Sequence, residues 1–412
     1  MKKLTLLFLF PFCLQALLIQ PIGGAKSQGR ANAQMAEPRD ALVGAQNPAA
    51  MSFLGNRYDI GATWVHQEGS STIRDNLLID GTFNNSRTEN FPFPDLAVNK
   101  QICECDFTLG FLAYTRAFVK SDYDTNFPFF GTSDLGLEYL HETFSPAFTI
   151  RLGTNHAFGI TLDVHVLRMK INGLENLALP IFTDLPDYVT NNKYNYSVAV
   201  GTTIGWMSRV SDCVSVGFAW QPPVPARRFG KYKGFLADRG EWCIPHRIMG
   251  GVAVRALPCL SFEFDLEYIK WNGIQALDNT FFFPGTEGDE TLLGDKYGPG
   301  FGWRDQLIAR LGAEWKINQM ASVRVGYQNS RAPMKGNSTL PNLLIPETPE
   351  DLVTFGGTWR FDCFNEISFF YAHAFQNQIN GNESIPDLFF GGGEVDLSRT
   401  KDFFGVSWGR YF

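Results

Sequence analysis

Apolar and polar residues alternate along many segments of the chain, and this pattern limits its fold more than any other feature. From Leu307 to Ile317, one set of alternate positions carries Leu, Ala, Trp and Ile, whereas the other carries mainly Arg, Gly, Glu and Lys. From Leu260 to Tyr268, Phe and Leu alternate with Ser, Glu and Asp. Because successive side chains of a β-strand point to opposite faces, these segments predict strands with one apolar and one polar face.

The polar faces separate two kinds of β protein. They carry small residues and charges of both signs, as expected for a wet lumen, while the apolar faces end in Trp and Tyr, as expected at the borders of a membrane. A soluble β-sandwich would more often place its aromatic residues inside and its charges outside. With 37 Phe among its residues, the chain is predicted to be all-β and to form an antiparallel transmembrane β-barrel of the outer membrane.

The same alternation predicts fourteen strands. Short turns and long loops alternate between them, which is typical of bacterial barrels with periplasmic turns, external loops and an even strand count. The predicted strands lie at 57–67, 73–83, 105–119, 136–152, 155–170, 194–208, 212–222, 246–257, 259–271, 304–317, 320–331, 351–362, 365–377 and 400–412.

The N-terminus has the features of a secretory signal peptide. Two lysines precede the apolar run Leu4–Ile19, and small residues follow up to Ala25. A membrane anchor is the alternative, but the run falls short of the roughly 20 apolar residues that a spanning helix needs. We therefore expect a signal peptide at 1–25.

A barrel of fourteen strands encloses a lumen that something must close. The segment 26–53 is rich in Ala and lacks a sustained strand pattern. Small residues let short helices pack closely in a confined space, so we expect this segment to be a luminal plug, or hatch, and the barrel to occupy 54–412. A disordered periplasmic tail is the alternative.

Several segments, in order, resemble the FadL-type transporters of long-chain fatty acids and other hydrophobic compounds, a family that includes TodX. An Asn-Pro-Ala tripeptide precedes the first strand of that family, and Asn47, Pro48 and Ala49 match it here. The resemblance extends over nearly the whole mature chain and includes the terminal Phe412. The other matching segments are Glu267-Tyr268-Ile269-Lys270-Trp271, Trp303-Arg304-Asp305, Leu311-Gly312-Ala313-Glu314-Trp315, Val325-Gly326-Tyr327, Ser330-Arg331-Ala332-Pro333 and Phe355-Gly356-Gly357-Thr358-Trp359-Arg360-Phe361.

The resemblance implies a channel in the cell outer membrane of a Gram-negative-type bacterium, with external capture of the ligand, gating by the hatch and lateral release into the bilayer. It implies a lateral gap at a kink in the third strand, near the tripeptide. We assign hatch gating to Asn47, Pro48 and Ala49, and the kink to Gly110. An ordinary turn cap at Asn47 and an ordinary strand glycine at Gly110 are the alternatives.

Phenylalanine clusters in the predicted external loops are candidates for ligand capture, because exposed apolar clusters usually mark an interaction. Packing of one loop against another is the alternative. The candidates are Phe127, Phe129 and Phe130, then Phe281, Phe282 and Phe283, with Phe91-Pro92-Phe93-Pro94 assigned to a further loop. The ligand expected from the family is a long-chain fatty acid or another hydrophobic small molecule. An aromatic hydrocarbon channel and a structural or adhesive porin are the alternative functions.

Six of the seven cysteines follow the predicted signal peptide. Cys243 falls at the external end of a strand. The others, at predicted periplasmic turns, are Cys103, Cys105, Cys213, Cys259 and Cys363. The periplasm is an oxidising compartment in which disulfides form, so disulfide-linked envelope proteins are possible partners. No histidine lies near the five turn cysteines in sequence, so no metal site is expected.

Other classes of function are disfavoured. The net charge of −7 argues against nucleic acid. We find no Gly-x-Ser-x-Gly motif, and we expect neither an enzyme nor a cofactor. The remaining expected partners are outer-membrane lipid and the barrel assembly machinery, because a terminal strand ending in Phe resembles the assembly signal of outer-membrane barrels.

Overall fold

A computed structural model describes residues 23–102, 106–281 and 291–412. Most of the predicted signal peptide, Cys103, Cys105, Phe282 and Phe283 therefore lie outside the described residues. Among those residues, no helix combines the length and the hydropathy that a membrane span requires.

The strands form one antiparallel sheet that closes on itself, as the alternation predicted. Each barrel strand pairs with the next along the chain, and β14 pairs with β1 to complete the ring. The fourteen barrel strands are β1 Arg57–Arg74, β2 Asn90–Ile102, β3 Phe107–Asp122, β4 Gly136–Leu152, β5 His156–Asn172, β6 Asn195–Arg209, β7 Val214–Gln221, β8 His246–Leu257, β9 Leu260–Lys270, β10 Gln306–Lys316, β11 Ala321–Ser330, β12 Asp351–Arg360, β13 Asn365–Ile379 and β14 Glu394–Tyr411.

The predicted second strand, 73–83, was wrong. Strand β1 continues to Arg74, and Gly81–Asn84 is a short strand that folds back on its external end. The second barrel strand is β2, which contains the Phe91-Pro92-Phe93-Pro94 segment that was assigned to a loop. Proline normally argues against a barrel strand, because it cannot donate to the ladder.

The faces of the strands confirm the predicted inversion of polarity. In β9, Phe262 is 42% exposed on the outer surface, whereas Glu263 is 1% exposed in the lumen. The terminal strand likewise presents Phe404, Val406 and Trp408 to the outside. The outer wall is therefore apolar and the lumen polar, as a barrel in lipid requires.

Short helical turns occupy the N-terminal segment and the external loops. The α-helical turns are Ala25–Gln28, Ala237–Gly240, Gln275–Asp278 and Asp387–Phe390, and the 3-10 turns are Ala41–Ala45, Pro48–Phe53, Glu175–Ala178, Pro186–Tyr188, Gly230–Tyr232, Gly336–Ser338 and Pro341–Leu343. A hairpin of Val224–Ala226 and Trp242–Ile244 extends from the loop between β7 and β8. The external loops pack into one large apolar core.

The N-terminal segment fills the lumen, with nearly all of its described residues buried. Carboxylates on the inner face of β9 hold its backbone: Asp265 accepts from the N–H groups of Gln34 (2.8 Å) and Met35 (3.1 Å). Glu263 pairs with Arg30 at 3.1 Å. These luminal charges thus bind the N-terminal segment to the wall.

Candidate functional site

An apolar cavity of about 60 Å³ lies in the lumen beneath the external loops. Strands β3, β4, β5 and β8 form one side of it, and the external loops with their hairpin form the other. Its aromatic lining consists of Tyr139, Trp242, Trp271, Phe301 and Trp303. Since an apolar cavity of roughly 150 Å³ accommodates benzene, a ring or an acyl chain enters here only if the loop side chains move.

Two buried arginines and a histidine line the polar end of this cavity: Arg116 of β3, Arg247 of β8 and His141 of β4. Arg116 donates to the amide oxygen of Gln221. Among the described residues, Nη1 of Arg116 and Nη1 of Arg247 have no hydrogen-bond acceptor. Buried donors are normally satisfied, so this end of the cavity suits a ligand that supplies acceptor oxygens.

The charges at this end do not balance locally. Arg247 and Arg310 share one carboxylate, Glu267, at 2.5 and 2.7 Å. In the part of the chain that the structure describes, Arg116 has no carboxylate within ion-pair distance. An anionic group entering the cavity would therefore compensate a buried positive charge, which is costly when it is left unpaired.

Histidines extend this polar end along the wall. Nε2 of His141 lies 3.0 Å from Nδ1 of His165, which also lies 3.1 Å from the hydroxyl of Thr143. The nearby Asp163 accepts hydrogen bonds from the hydroxyl groups of Ser145 and Thr203, at 2.6 and 2.8 Å. Both oxygens of this carboxylate therefore already have hydroxyl donors from the barrel wall.

A second feature is a lateral gap in the wall between β2 and β3. These strands pair from Leu96 with Ala113 down to Ile102 with Phe107. On the external side of the Leu96–Ala113 pair, the described residues show no ladder between 90–95 of β2 and 114–121 of β3. At about 3.3 Å per residue, the lateral gap is roughly 20 Å long.

The prolines explain why β2 tolerates this missing ladder. The N–H of Gln67 in β1 donates to the carbonyl of Glu89, and hydrogen-bonded pairs alternate along antiparallel strands. The backbone groups of Phe91 and Phe93 therefore bond to β1, whereas the backbone nitrogens of Pro92 and Pro94 point toward the lateral gap. Because proline has no N–H, this edge has two fewer donors to satisfy.

The irregularity in β3 lies at Arg116 and not at Gly110. Strand β3 shifts register against β4 between Thr115 and Ala117, which makes Arg116 a bulge residue. Gly110 pairs regularly on both sides. An added Cβ at Gly110 would lie 2.1 Å from the methyl carbon of Met51. Gly110 thus gives room for the hatch, and the bend belongs to the bulge.

The tripeptide contacts the wall at β5, β6 and β7 and not at the lateral gap, since added Cβ atoms at Gly159, Gly205 and Gly217 would lie within 3.0 Å of it. The side-chain amide of Asn47 donates to the carbonyls of Met35 (2.8 Å) and Trp206 (3.2 Å), and its oxygen accepts from Ala49 (3.2 Å). Pro48 begins the 3-10 turn that follows. Asn47 therefore caps this turn and attaches the hatch to β6.

Near its N-terminal end the hatch contains buried charged groups. Lys26 pairs with Glu366 of β13. Burial lowers the pKa of Lys26 to about 8, and the charge of Arg57 acts in the same direction. Burial raises the pKa of Asp40 to about 6, with a further contribution from Asp59. Burial therefore disfavours the charged form of both groups.

The structure places the proposed capture residues inside the loop core. Phe127, Phe129 and Phe130 are at most 4% exposed and pack against one another and against Phe390. Phe281 is partly buried against the same core. An exposed capture surface at Phe127, Phe129 and Phe130 is therefore not present, because the loops cover these rings.

On the periplasmic side the hatch borders a larger space of about 440 Å³, and this space is polar. Its charged lining includes Lys26, Arg39, Glu314, Lys316, Arg324, Arg360 and Glu366. A hydrophobic ligand would gain no apolar contact by leaving the cavity in this direction.

Comparisons with known proteins agree with this architecture. Residues 20–402 match the family described as outer membrane protein transport protein (OMPP1/FadL/TodX). The crystal structure of a Pseudomonas aeruginosa FadL homologue is similar, with a TM-score of 0.72 and 14% identity over 96% of this chain and 100% of that chain. For the Pseudomonas putida toluene transporter TodX, the TM-score is 0.66 and the identity 15%, over 95% of this chain and 98% of that chain.

A third solved structure, the Ralstonia pickettii toluene transporter TbuX, gives a TM-score of 0.65 and 12% identity over 95% of this chain and 98% of that chain. At these identities the solved structures establish the fold. No curated protein sequence matches the chain. The family consists of transport channels and not of enzymes. The chain belongs to the OMPP1/FadL/TodX family of outer-membrane β-barrels that transport hydrophobic compounds.

Proposed function

We propose that this channel transports long-chain fatty acids, with capture at the external loops, gating by the hatch and lateral release into the bilayer. The observation that carries the choice of ligand is the polar end of the cavity, where Nη1 of Arg116 and Nη1 of Arg247 have no acceptor among the described residues. Each oxygen of a carboxylate accepts hydrogen bonds, and those donated by a charged guanidinium are stronger than those between neutral groups. An acyl chain suits the apolar remainder of the cavity.

Lateral release follows from the cost of rewetting the ligand. Each CH₂ group favours an apolar environment by about 0.8 kcal/mol, and the space on the periplasmic side of the hatch is polar. Leaving through the wall avoids this cost for the acyl chain. The lateral gap between β2 and β3 supports this route.

Aromatic hydrocarbons are the second candidate, and the aromatic lining of the cavity favours them. Two of the similar solved structures are described as toluene transporters. A neutral hydrocarbon would leave the guanidinium groups of Arg116 and Arg247 without an acceptor, and for this reason we place it second.

Binding to the purified barrel tests the choice between the two ligands. We expect oleate to bind more tightly than oleyl alcohol, which has the same chain and no carboxylate. Because hydrogen bonds to charged groups contribute about 1.5–3 kcal/mol, Arg116→Met should weaken oleate binding by roughly ten- to hundredfold. Binding of oleyl alcohol should not change.

The matched control is Arg168→Met, since Arg168 pairs with Glu138 and does not line the cavity. Equal affinities for oleate and oleyl alcohol, together with displacement of both by toluene, would move the assignment to aromatic hydrocarbons. Selective binding of neither ligand would favour a structural or adhesive porin.

The remaining partners are proposals of the same kind. We propose that the signal peptide at 1–25 is removed. We also propose that the barrel assembly machinery recognises the terminal strand and that outer-membrane lipid surrounds the barrel. Cys213, Cys259 and Cys363 are exposed thiols on short turns of the same rim, which supports disulfide exchange with envelope proteins. Disulfide-linked oligomers on non-reducing gels of intact envelopes test this, and their absence would remove it.

A further inference from the structure

Three phenylalanine side chains fill the lateral gap. The ring of Phe118 in β3 lies 4.5 Å from that of Phe91 and 5.0 Å from that of Phe93 in β2, measured between ring centroids. The ammonium of Lys120 lies 5.6 Å from the centroid of the Phe91 ring. Phe93 and Phe118 are only 8% and 9% exposed, so the rings exclude solvent where the ladder is missing.

The bulge at Arg116 directs Phe118 into this position. Alternate residues of a strand face opposite sides, and an extra residue reverses the alternation beyond it. Ala117 and Val119 line the cavity, so Phe118 between them faces away from it. Phe118 therefore does not line the cavity.

The ends of the lateral gap are held by backbone hydrogen bonds. Below it, the ladder begins at Leu96 and Ala113. Above it, Asp122 exchanges hydrogen bonds with the backbone of Asn85 and Arg87, at 3.1 and 2.9 Å. In addition, the side-chain amide of Gln67 in β1 donates to the carbonyl of Lys120 at 3.0 Å. The backbone frame is therefore complete, and side chains alone close the space within it.

We propose that Phe91, Phe93 and Phe118 form a side-chain gate that closes the lateral gap and controls passage between the lumen and the bilayer. This inference rests on the proposed function for its ligand. Turning aromatic rings breaks no ladder hydrogen bond, whereas opening the backbone within lipid would leave polar groups unsatisfied. Since Phe118 faces away from the cavity, the gate acts on release and leaves binding in the cavity unchanged.

The first test measures access from the bilayer without any ligand. The barrel is placed in vesicles that contain a photoactivatable alkyl probe, and labelling is mapped by residue. Phe403 faces the lumen beside the gate at 4% exposure, while the neighbouring Phe404 is 61% exposed to lipid. We expect Phe118→Ala to raise labelling of Phe403 severalfold relative to Phe404. The matched control is Phe111→Ala, the same change at a lipid-facing position of β3.

The second test separates release from binding. Phe118→Ala should accelerate transfer of bound oleate to acceptor vesicles and leave its dissociation constant unchanged, and the bulkier Phe118→Trp should slow transfer. Equal labelling of Phe403 in all variants, or equal transfer rates in the three barrels, would overturn the gate. If labelling responds as expected but no variant binds oleate, the proposed function fails and the gate stands.

Discussion

At the residue scale, the sequence indicated which side chains face the lumen but not which of them meet. Arg116 interrupts an apolar segment of β3, and this signal was available in the sequence. Its convergence with Arg247 depends on β3 and β8 approaching across the lumen, which no local pattern encodes. Gly110 was a plausible site for the bend because glycine is common at bulges, yet its space is taken up by Met51.

Glycines on the lumen faces of the strands were a further signal that went unused. An added Cβ at Gly217 would lie 1.9 Å from the carbonyl oxygen of Met35, and one at Gly326 would lie 2.3 Å from the carbonyl carbon of Arg30. Since both neighbours are backbone atoms of the hatch, no rotamer change relieves the contact. These glycines let the hatch approach the wall closely.

Gly217→Val should therefore displace the hatch from the wall. We expect higher ion conductance of the reconstituted barrel and faster protease cleavage within 26–53. Gly250→Val is the control, because the nearest atom to its added Cβ is the oxygen of Gly217 at 3.8 Å. Identical conductance in the two variants would show that the hatch does not need this approach.

At the scale of elements, strand β2 shows where the sequence reading failed and why. Pro92 and Pro94 argue against a barrel strand whenever both edges are assumed to be paired. The lateral gap removes that assumption, since the prolines face the unpaired edge. The prolines of β2 are thus compatible with a barrel strand that borders the lateral gap.

The hatch is a second element whose attachment is testable. Asn47→Ala should leave the carbonyls of Met35 and Trp206 without their shared donor, and a buried group left unsatisfied costs about 1–3 kcal/mol. Amide exchange across Pro48–Phe53 should then rise by roughly ten- to hundredfold at constant pH. Asn365→Ala, at an exposed turn, is the control. Unchanged exchange in Asn47→Ala would contradict its role as an anchor.

At the scale of the whole molecule, the sequence was sufficient for the fold class because lipid outside and water inside invert the usual polarity of every strand. The same reasoning did not locate the capture surface. Whether Phe127 is exposed depends on how distant loops pack over one another, and those loops bury it completely. The cavity was missed for the same reason, since external loops form half of its lining.

Uptake of labelled oleate by cells that lack their own fatty acid channel tests the central claim most directly. Cells that express this barrel should take up oleate, and cells with an equally abundant Arg116→Met barrel should take up much less. Heat-modifiable migration on gels checks that both barrels are assembled. No oleate uptake through a correctly assembled barrel, or equal uptake with Arg116→Met, would contradict transport of a carboxylate ligand through this cavity.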